Sequence, residues 1–254
     1  MPPRVHAWTA LRPLAKRATP GHSHSMRRLA LFLLLILTAC GRPLTPNEAE
    51  FLRAFHGDAL NPKKVRVLDG NPAGSVTYKI PVRPRTTCQE RIWPPLDTAK
   101  TVTVSPAATV LFNKILLRDD IYRADFLKGY PDQIDLFDAM LFAHEATHVW
   151  QWQNRKLTGY HPLKAAREHA NSKDPYLFDT EQMRDFLEFG YEQQGSIVEE
   201  YVCCRLLDPN APRTSRLRGM IGKYMPVDRM DAAIDRPRVL LPWKDVQTDG
   251  ICRA

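Results

Sequence analysis

The spacing of apolar residues along the chain changes near residue 133. Before that point apolar positions come in short alternating runs. "KKVRVLDG" (63–70) and "GSVTYKIPVRP" (74–84) carry β-branched alternation between turn residues and predict short strands. Pro81 and Pro84 push the second toward a sheet edge, because proline cannot donate to a ladder. "KTVTVSPAATVLFNKILL" (100–117) predicts two strands, or one broken at Ser105-Pro106. Ahead of them, "TPNEAEFLRAFHG" (45–57) predicts a short helix. Thr45 or Asn47 caps it, Pro46 suits its start and Gly57 ends it.

From Gln133 the period is helical. Ile134, Phe137, Met140, Leu141, His144, His148 and Trp152 recur on one stripe, which predicts a helix to about Arg155 with Asp132 as its cap. Residues 156–179 read as a loop with one short helical stretch at 163–170. "TEQMRDFLEFGYEQQGSIVEEYVCCRLLD" (180–208) predicts a second long helix, stopped by Asp208-Pro209. The Arg- and Pro-rich tail predicts one more helix at 213–224. Sheet first and helices after is the pattern of an α+β domain.

Charge narrows the function classes. The formal net charge is +8, but residues 1–39 hold six basic residues and no acid. The remainder has 30 basic and 28 acidic residues, so the body is nearly neutral. That balance gives no electrostatic basis for binding nucleic acid.

The first long helix carries the candidate chemistry. "LFAHEATHVWQWQ" (141–153) contains His-Glu-x-x-His. Positions four apart on a helix differ by only about 40°, so His144 and His148 project from one face and can share a metal ion. Glu145 lies on the flank of that face, beside the metal and not on it. Two neutral imidazoles suit Zn2+, which lowers the pKa of water, and a neighbouring carboxylate completes the base. With eight histidines in 254 residues, the motif arises by chance in about one such chain in a hundred, so its context matters. Here it lies mid-helix among apolar residues, where an unpartnered histidine pair is costly to bury.

A catalytic zinc needs a third protein ligand. The extended Gly-His pattern fails, because Gln151 stands where glycine should be. The second long helix offers Glu181, Glu188, Glu192, Glu199 and Glu200. Glu192 is favoured, since Gly195 one turn on lets two helices approach closely around a metal; Glu188 and Glu199 are its nearest rivals. His161, His169, Tyr160, Tyr191 and Tyr201 are candidate donors to an oxyanion. Asp138 and Glu199 are candidates to hold a ligand histidine by its other nitrogen. Trp150 and Trp152 suit the core or a pocket wall.

"HEATHVWQWQ" followed by "YEQQGSIVEEY" resembles the gluzincin group of zinc metallopeptidases. More narrowly, it is similar to small bacterial HExxH proteins called Vgr-related. The resemblance covers about residues 100–208 and rests on these two motifs. It implies a zincin-like helical core, His144, His148 and Glu192 as ligands, Glu145 as general base, and a peptide or protein substrate. The chain departs from that pattern at Gly195, where alanine is more usual. A non-catalytic zinc-binding lipoprotein with a structural or partner-binding role is the alternative.

The amino terminus predicts export. "MRRLALFLLLILTAC" (26–40) has Arg27 and Arg28, an apolar run from Leu29 to Leu37, and Leu-Thr-Ala-Cys ending at Cys40. That ending resembles the bacterial lipobox, which implies lipidation of Cys40 and anchoring at a membrane of the cell envelope. Residues 1–25 precede a good start at Met26, read as an over-extended start, and give no ligand role to His22 or His24. The organisation expected is a signal region (1–39), a lipidated terminus with a short helix (40–60), a metal-binding domain (61–208), and a C-terminal helix and tail (209–254). Outside the cytoplasm Cys88, Cys203, Cys204 and Cys252 would form disulfides, with connectivity open. Adjacent Cys203 and Cys204 point about 100° apart on a helix and so bond outward, not to each other.

Overall fold

The computed structural model describes residues 41–96, 100–172, 174–179 and 184–253. The signal region, Cys40 and Glu181 lie outside the described residues. The remainder is α+β, with small sheets against a helical core. No helix among the described residues is long and apolar enough to cross a membrane.

Helix α1 (Pro46–His56) forms where the sequence predicts it. Thr45 Oγ accepts from the Glu48 amide at 3.1 Å and the Glu48 carboxylate accepts from the Thr45 amide at 2.9 Å, so two helix-end donors are satisfied reciprocally. Glu48 is fully buried and tolerates this because Arg42 meets it with two 2.7 Å bonds. Phe51, Leu52 and Phe55 enter the core.

Strands β1 (Arg66–Asp69) and β2 (Tyr78–Pro81) fall inside the two alternating runs. Residues 100–117 hold three strands, one more than expected: β3 (Thr101–Val104), β4 (Ala108–Leu111) and β5 (Lys114–Leu117). Phe112, at φ 62°, turns β4 tightly into β5, a break with no Gly or Pro to announce it. β5 pairs antiparallel with β4 and parallel with β1, while β2 pairs antiparallel with β3. Both prolines of the second run fall at or beyond the end of β2, in a two-stranded ribbon.

The expected long helices begin later than their periodicity suggests. Residues Gln133–Asp135 form β6, and helix α2 (Cys88–Arg91) is a single turn between β2 and β3. The first long helix, α3 (Leu136–Gln153), starts at Leu136 with Asp135, not Asp132, accepting from the Asp138 amide at 3.0 Å. β6 forms because β7 (Arg238–Leu240) returns from the far end of the chain to pair with it in parallel. Helices α4 (Arg155–Thr158) and α5 (Pro162–Asn171) occupy the expected loop. The second long helix, α6 (Tyr191–Leu207), begins at Tyr191; a capped 3-10 turn at Phe186–Glu188 and extended residues precede it. α7 (Pro212–Ile221) matches the expected tail helix, and α8 (Val227–Ala233) follows.

α3 and α6 pack along their length and are covered on nearly every side. For α3 the deep face is Ala139, Met140, Phe142, Ala143, Ala146, Val149 and Trp150. Phe137 and Leu141 on the stripe read from sequence are only half-buried: Leu141 lines a cleft, and Phe137 packs edge-on against Trp93. A helix that is apolar all round does not reveal which side faces the core. α1 and the C-terminal segment join the same hydrophobic cluster, through Phe51, Met230 and Ile251 among others. Cys88 bonds Cys203 and Cys204 bonds Cys252, with Cα separations of 6.0 and 5.8 Å. The adjacent cysteines on α6 thus bond outward in different directions, one to α2 and one to the tail.

Candidate metal centre

Three elements build the centre. α3 presents His144 and His148 one turn apart. α6 presents Glu192, Gly195 and Glu199, which share one stripe because seven residues is close to two turns. α5 supplies His169 and also Glu168, whose carboxylate accepts from the Tyr191 amide at 2.8 Å. That bond fills a helix-end donor of α6 one residue before Glu192, so α5 sets where the first turn of α6 stands.

His144 lies in a slot on α6. Its Nε2 is 3.2 Å from Glu192 Oε2 and its Nδ1 donates to Glu199 Oε2 at 3.0 Å. The floor of the slot is Gly195. A Cβ there would lie 2.7 Å from His144 Nε2 and 2.8 Å from Cε1. The glycine that departs from the resembled pattern therefore has a local cause: the methyl of alanine would occupy the space of the ring. His148 Nε2 also lies 3.2 Å from Glu192 Oε2, and its Nδ1 donates to Gln151 Oε1 at 2.9 Å. Gln151 is held by its amide group, which donates to the Tyr191 carbonyl and Gln194 Oε1, each at 3.0 Å.

These bonds decide how the two rings are protonated. Each Nδ1 faces an acceptor and carries the proton, so each neutral ring aims an Nε2 lone pair at the Glu192 carboxylate. Two lone pairs and an anion then converge where ligand atoms lie within 4.8 Å of one another, all buried. A cation resolves that repulsion. The 3.2 Å spacings match the edge of about 3.3 Å for a tetrahedron with bonds near 2.0–2.1 Å. The residues fit a small divalent metal, and His144, His148 and Glu192 form a candidate metal-binding group.

Without a metal the cluster holds protons instead. Burial opposes charge on His144, but hydrogen bonds to Glu192 and Glu199 prevail and raise its pKa well above the ordinary value. Burial likewise opposes charge on Glu192, yet His148 and hydrogen bonds from three histidines hold its carboxyl well below the usual range. Glu145 is buried beside the histidines and burial pushes its pKa up, with the histidines opposing. Its carboxylate stands at the bottom of an open cleft.

The other candidates separate. His169 donates to the second oxygen of Glu192 at 2.8 Å, which makes it a support of the ligand rather than a free donor. Glu199 holds His144, whereas Asp138 pairs with Arg123 at 3.3 Å and takes no part. Glu188 closes the cap of the 3-10 turn. Glu200 points away, accepting from the Cys88 and Gln89 amides and Arg213. His161 caps α5 through its own ring nitrogen. Tyr201 bonds Asp231, and the Tyr191 hydroxyl bonds the Gly159 carbonyl. Tyr160 is buried against the cleft near His148, with its pKa raised by burial. Trp150 is core, and Trp152 stacks with Phe112 and Arg155 outside the cleft, so neither walls it.

Tyr176 is the group that sequence reasoning missed. Its ring lies 5.8 Å from that of His144 and 5.6 Å from that of His169, with the Arg83 guanidinium over the ring 5.2 Å from its centre. Arg83 also grips Asp174 with bonds of 2.6 and 2.9 Å, fixing the loop that carries the tyrosine. Burial, then Glu192 and Glu145, raise the phenol pKa well above its usual value, so it remains a donor. The loop sequence Asp174-Pro175-Tyr176 contains no periodic signal, and only the fold brings it over the site.

No protein-family profile matches the chain, and no curated protein matches it. Among solved structures it is similar to the effector domain of Pseudomonas aeruginosa VgrG2b. The identity is 21%, the match covers 79% of this chain and 95% of that one, and the TM-score is 0.45. A likeness of that degree bears on neither activity nor substrate.

Proposed function

We propose that this protein is a zinc-dependent metallopeptidase of the gluzincin type, tethered to the bacterial cell envelope by a lipid on Cys40. The observation that supports it best is the pairing of a closed ligand set with an unengaged acid. His144, His148 and Glu192 use their atoms on one another and on fixed supports, while Glu145 makes no hydrogen bond among the described residues and faces the cleft. A site that only stabilised a fold has no use for that carboxylate. Zinc held by the three ligands would supply a Lewis acid that polarises a peptide carbonyl and acidifies water.

The chain's own residues do the rest. Glu145 takes the proton of the attacking water and returns it to the leaving amine, a role suited by a pKa raised through burial. Glu199 and Gln151 hold the two imidazoles in the tautomer that leaves Nε2 free for metal. His169 fixes Glu192 through the oxygen that does not face His144 and His148. Tyr176 is placed beside the centre as a protonated donor for developing negative charge.

The test is metal content and hydrolysis measured together on the purified protein. Wild type should hold one zinc per chain, Glu145→Gln should keep it, and Glu192→Ala should lose it. Hydrolysis of a denatured protein substrate should vanish in both variants. A protein without zinc, or hydrolysis that survives Glu145→Gln, would overturn the proposal. The anchor is tested separately: Cys40→Ser should move the protein from the membrane fraction to the soluble one.

A further inference from the structure

Two clefts meet at Glu145, with volumes of about 400 and 540 Å³. They share Tyr78, Pro106 and Ala108 on one wall and Pro175 and Tyr176 on the other. Residues 102–111 run along both, so the two form a single trough with Glu145 at its waist. Each half has the volume of a pocket for a bulky side chain and its flanking backbone.

Apolar side chains supply most of the lining of each half, with Tyr78 and Tyr176 common to both. In the larger half, Val76, Leu111, Pro162, Ala165 and Ala166 surround the site, and its charged residues are Glu145, His148, His169 and Glu192 of the site itself. In the smaller half, Ile80, Val82, Trp93, Leu96, Val102 and Leu141 supply the surface. Most of its charges are paired, Arg83 with Asp174 and Glu90 and Glu199 with His144, while the Arg85 guanidinium keeps its charge but is turned to the carbonyls of Glu90, Arg91 and Trp93. Val76, Leu96 and Leu111 at the rims are 59%, 52% and 41% exposed, large apolar surfaces gathered at one place on the molecule. A blind pocket on one side of Glu145 would suit removal of a terminal residue. A trough continuing on both sides suits a chain that passes through.

On the peptidase reading above, we propose that the substrate is an extended polypeptide segment with a bulky apolar side chain on each side of the cut bond, one in each half of the trough. The enzyme is then an endopeptidase for unfolded or exposed apolar segments. Water attacks the peptide carbonyl at the waist, the C–N bond breaks, and the proton taken by Glu145 leaves with the new amine.

The probe is a capped hexapeptide, acetyl-Ser-Ala-X-Z-Ala-Ser-amide, in which X–Z is the bond read for cleavage. With leucine or phenylalanine at both positions it should be cut. Aspartate or glycine at either position should lower kcat/KM by about tenfold or more. A labelled Leu-Phe peptide should also bind the zinc-loaded Glu145→Gln protein, measured by fluorescence anisotropy, and the Asp-Asp peptide should not. Ala166→Lys on exposed α5 and Val104→Lys on β3 each place a cation in one half. Each should shift preference toward aspartate at one position only, and the two should affect opposite positions. The peptide series on the wild-type protein stands even if a variant folds poorly. Cleavage indifferent to X and Z overturns this inference and leaves the peptidase intact. Binding without cleavage by wild type overturns the peptidase and keeps the trough. Neither binding nor cleavage overturns both.

Discussion

Gly195→Ala should weaken metal binding without unfolding the protein. The added Cβ would stand 2.7, 2.8 and 2.9 Å from Nε2, Cε1 and Cδ2 of His144, all on one ring. Ordinary carbon contacts lie at about 3.5–4.0 Å, so the ring must withdraw by roughly 0.8 Å. Metal–ligand distances tolerate only about 0.2 Å, so His144 is lost as a well-placed ligand. Loosening a partner of a ligand costs about 10–100-fold in affinity, and displacing the ligand itself should cost at least tenfold. Stability responds less. Overpacking costs about 1–3 kcal/mol, and alanine in place of mid-helix glycine returns about 1 kcal/mol. The metal-free protein should therefore lose no more than about 2 kcal/mol. Gly219→Ala on α7 is the control, because a Cβ there meets nothing within 4 Å, and it should stabilise by about 0.5–1 kcal/mol with zinc affinity unchanged. The assay is zinc competition against a chromogenic chelator at neutral pH, with urea unfolding of the chelated protein alongside. Zinc affinity of Gly195→Ala within twofold of wild type would refute the close approach of the His144 ring to α6.

Further tests address the rest of the frame. His56 is buried, stacked on Trp150, with neither ring nitrogen hydrogen-bonded among the described residues, and burial lowers its pKa to about 3. The unfolded chain takes up that proton near pH 6.5 and the folded one does not. Stability should therefore fall as pH drops from 6.5 toward 3, by about 1.4 kcal/mol per unit at most, and His56→Leu should remove that slope in acid unfolding. Asp138 has the opposite sign: burial and Asp135 raise its pKa from 3.8 to about 6 against Arg123. The folded state keeps its proton longer, so this contribution is lost as pH rises from about 4 to 6. Asp138→Asn should gain about 1 kcal/mol at neutral pH after allowing for its partial exposure; no gain would refute the shift. Replacing Cys204 and Cys252 by serine opens a link spanning 48 residues and should cost about 4 kcal/mol in the loop-entropy view, read as a shift of the urea midpoint. The same change at Cys88 and Cys203 should release α2 from α6, alter the cleft wall at Glu90 and Trp93, and lower peptide binding more than zinc affinity.

The sequence by itself determined what neighbouring residues along a helix decide. His144 and His148 share a face because of helical pitch, and Glu192 was readable as their partner because Gly195 follows it one turn later. Thr45, Pro46 and Gly57 announced α1, and the β-branched runs announced β1 and β2. The adjacency of Cys203 and Cys204 on a helix favoured outward bonds over one between them. Tertiary structure decided whatever depends on residues far apart in the chain. β6 displaced the start of α3 because β7 arrives from more than a hundred residues away, and a ladder forms only with both strands present. The partners of Cys88 and Cys252 depend on which segments flank α6. His169 and Tyr176 lie on a connection whose composition is unremarkable, and they acquire roles only when α5 and the Arg83–Asp174 pair carry them to Glu192 and His144. The slot under His144 is set by the distance between α3 and α6. That distance is a property of two packed helices, and no local pattern in either one encodes it.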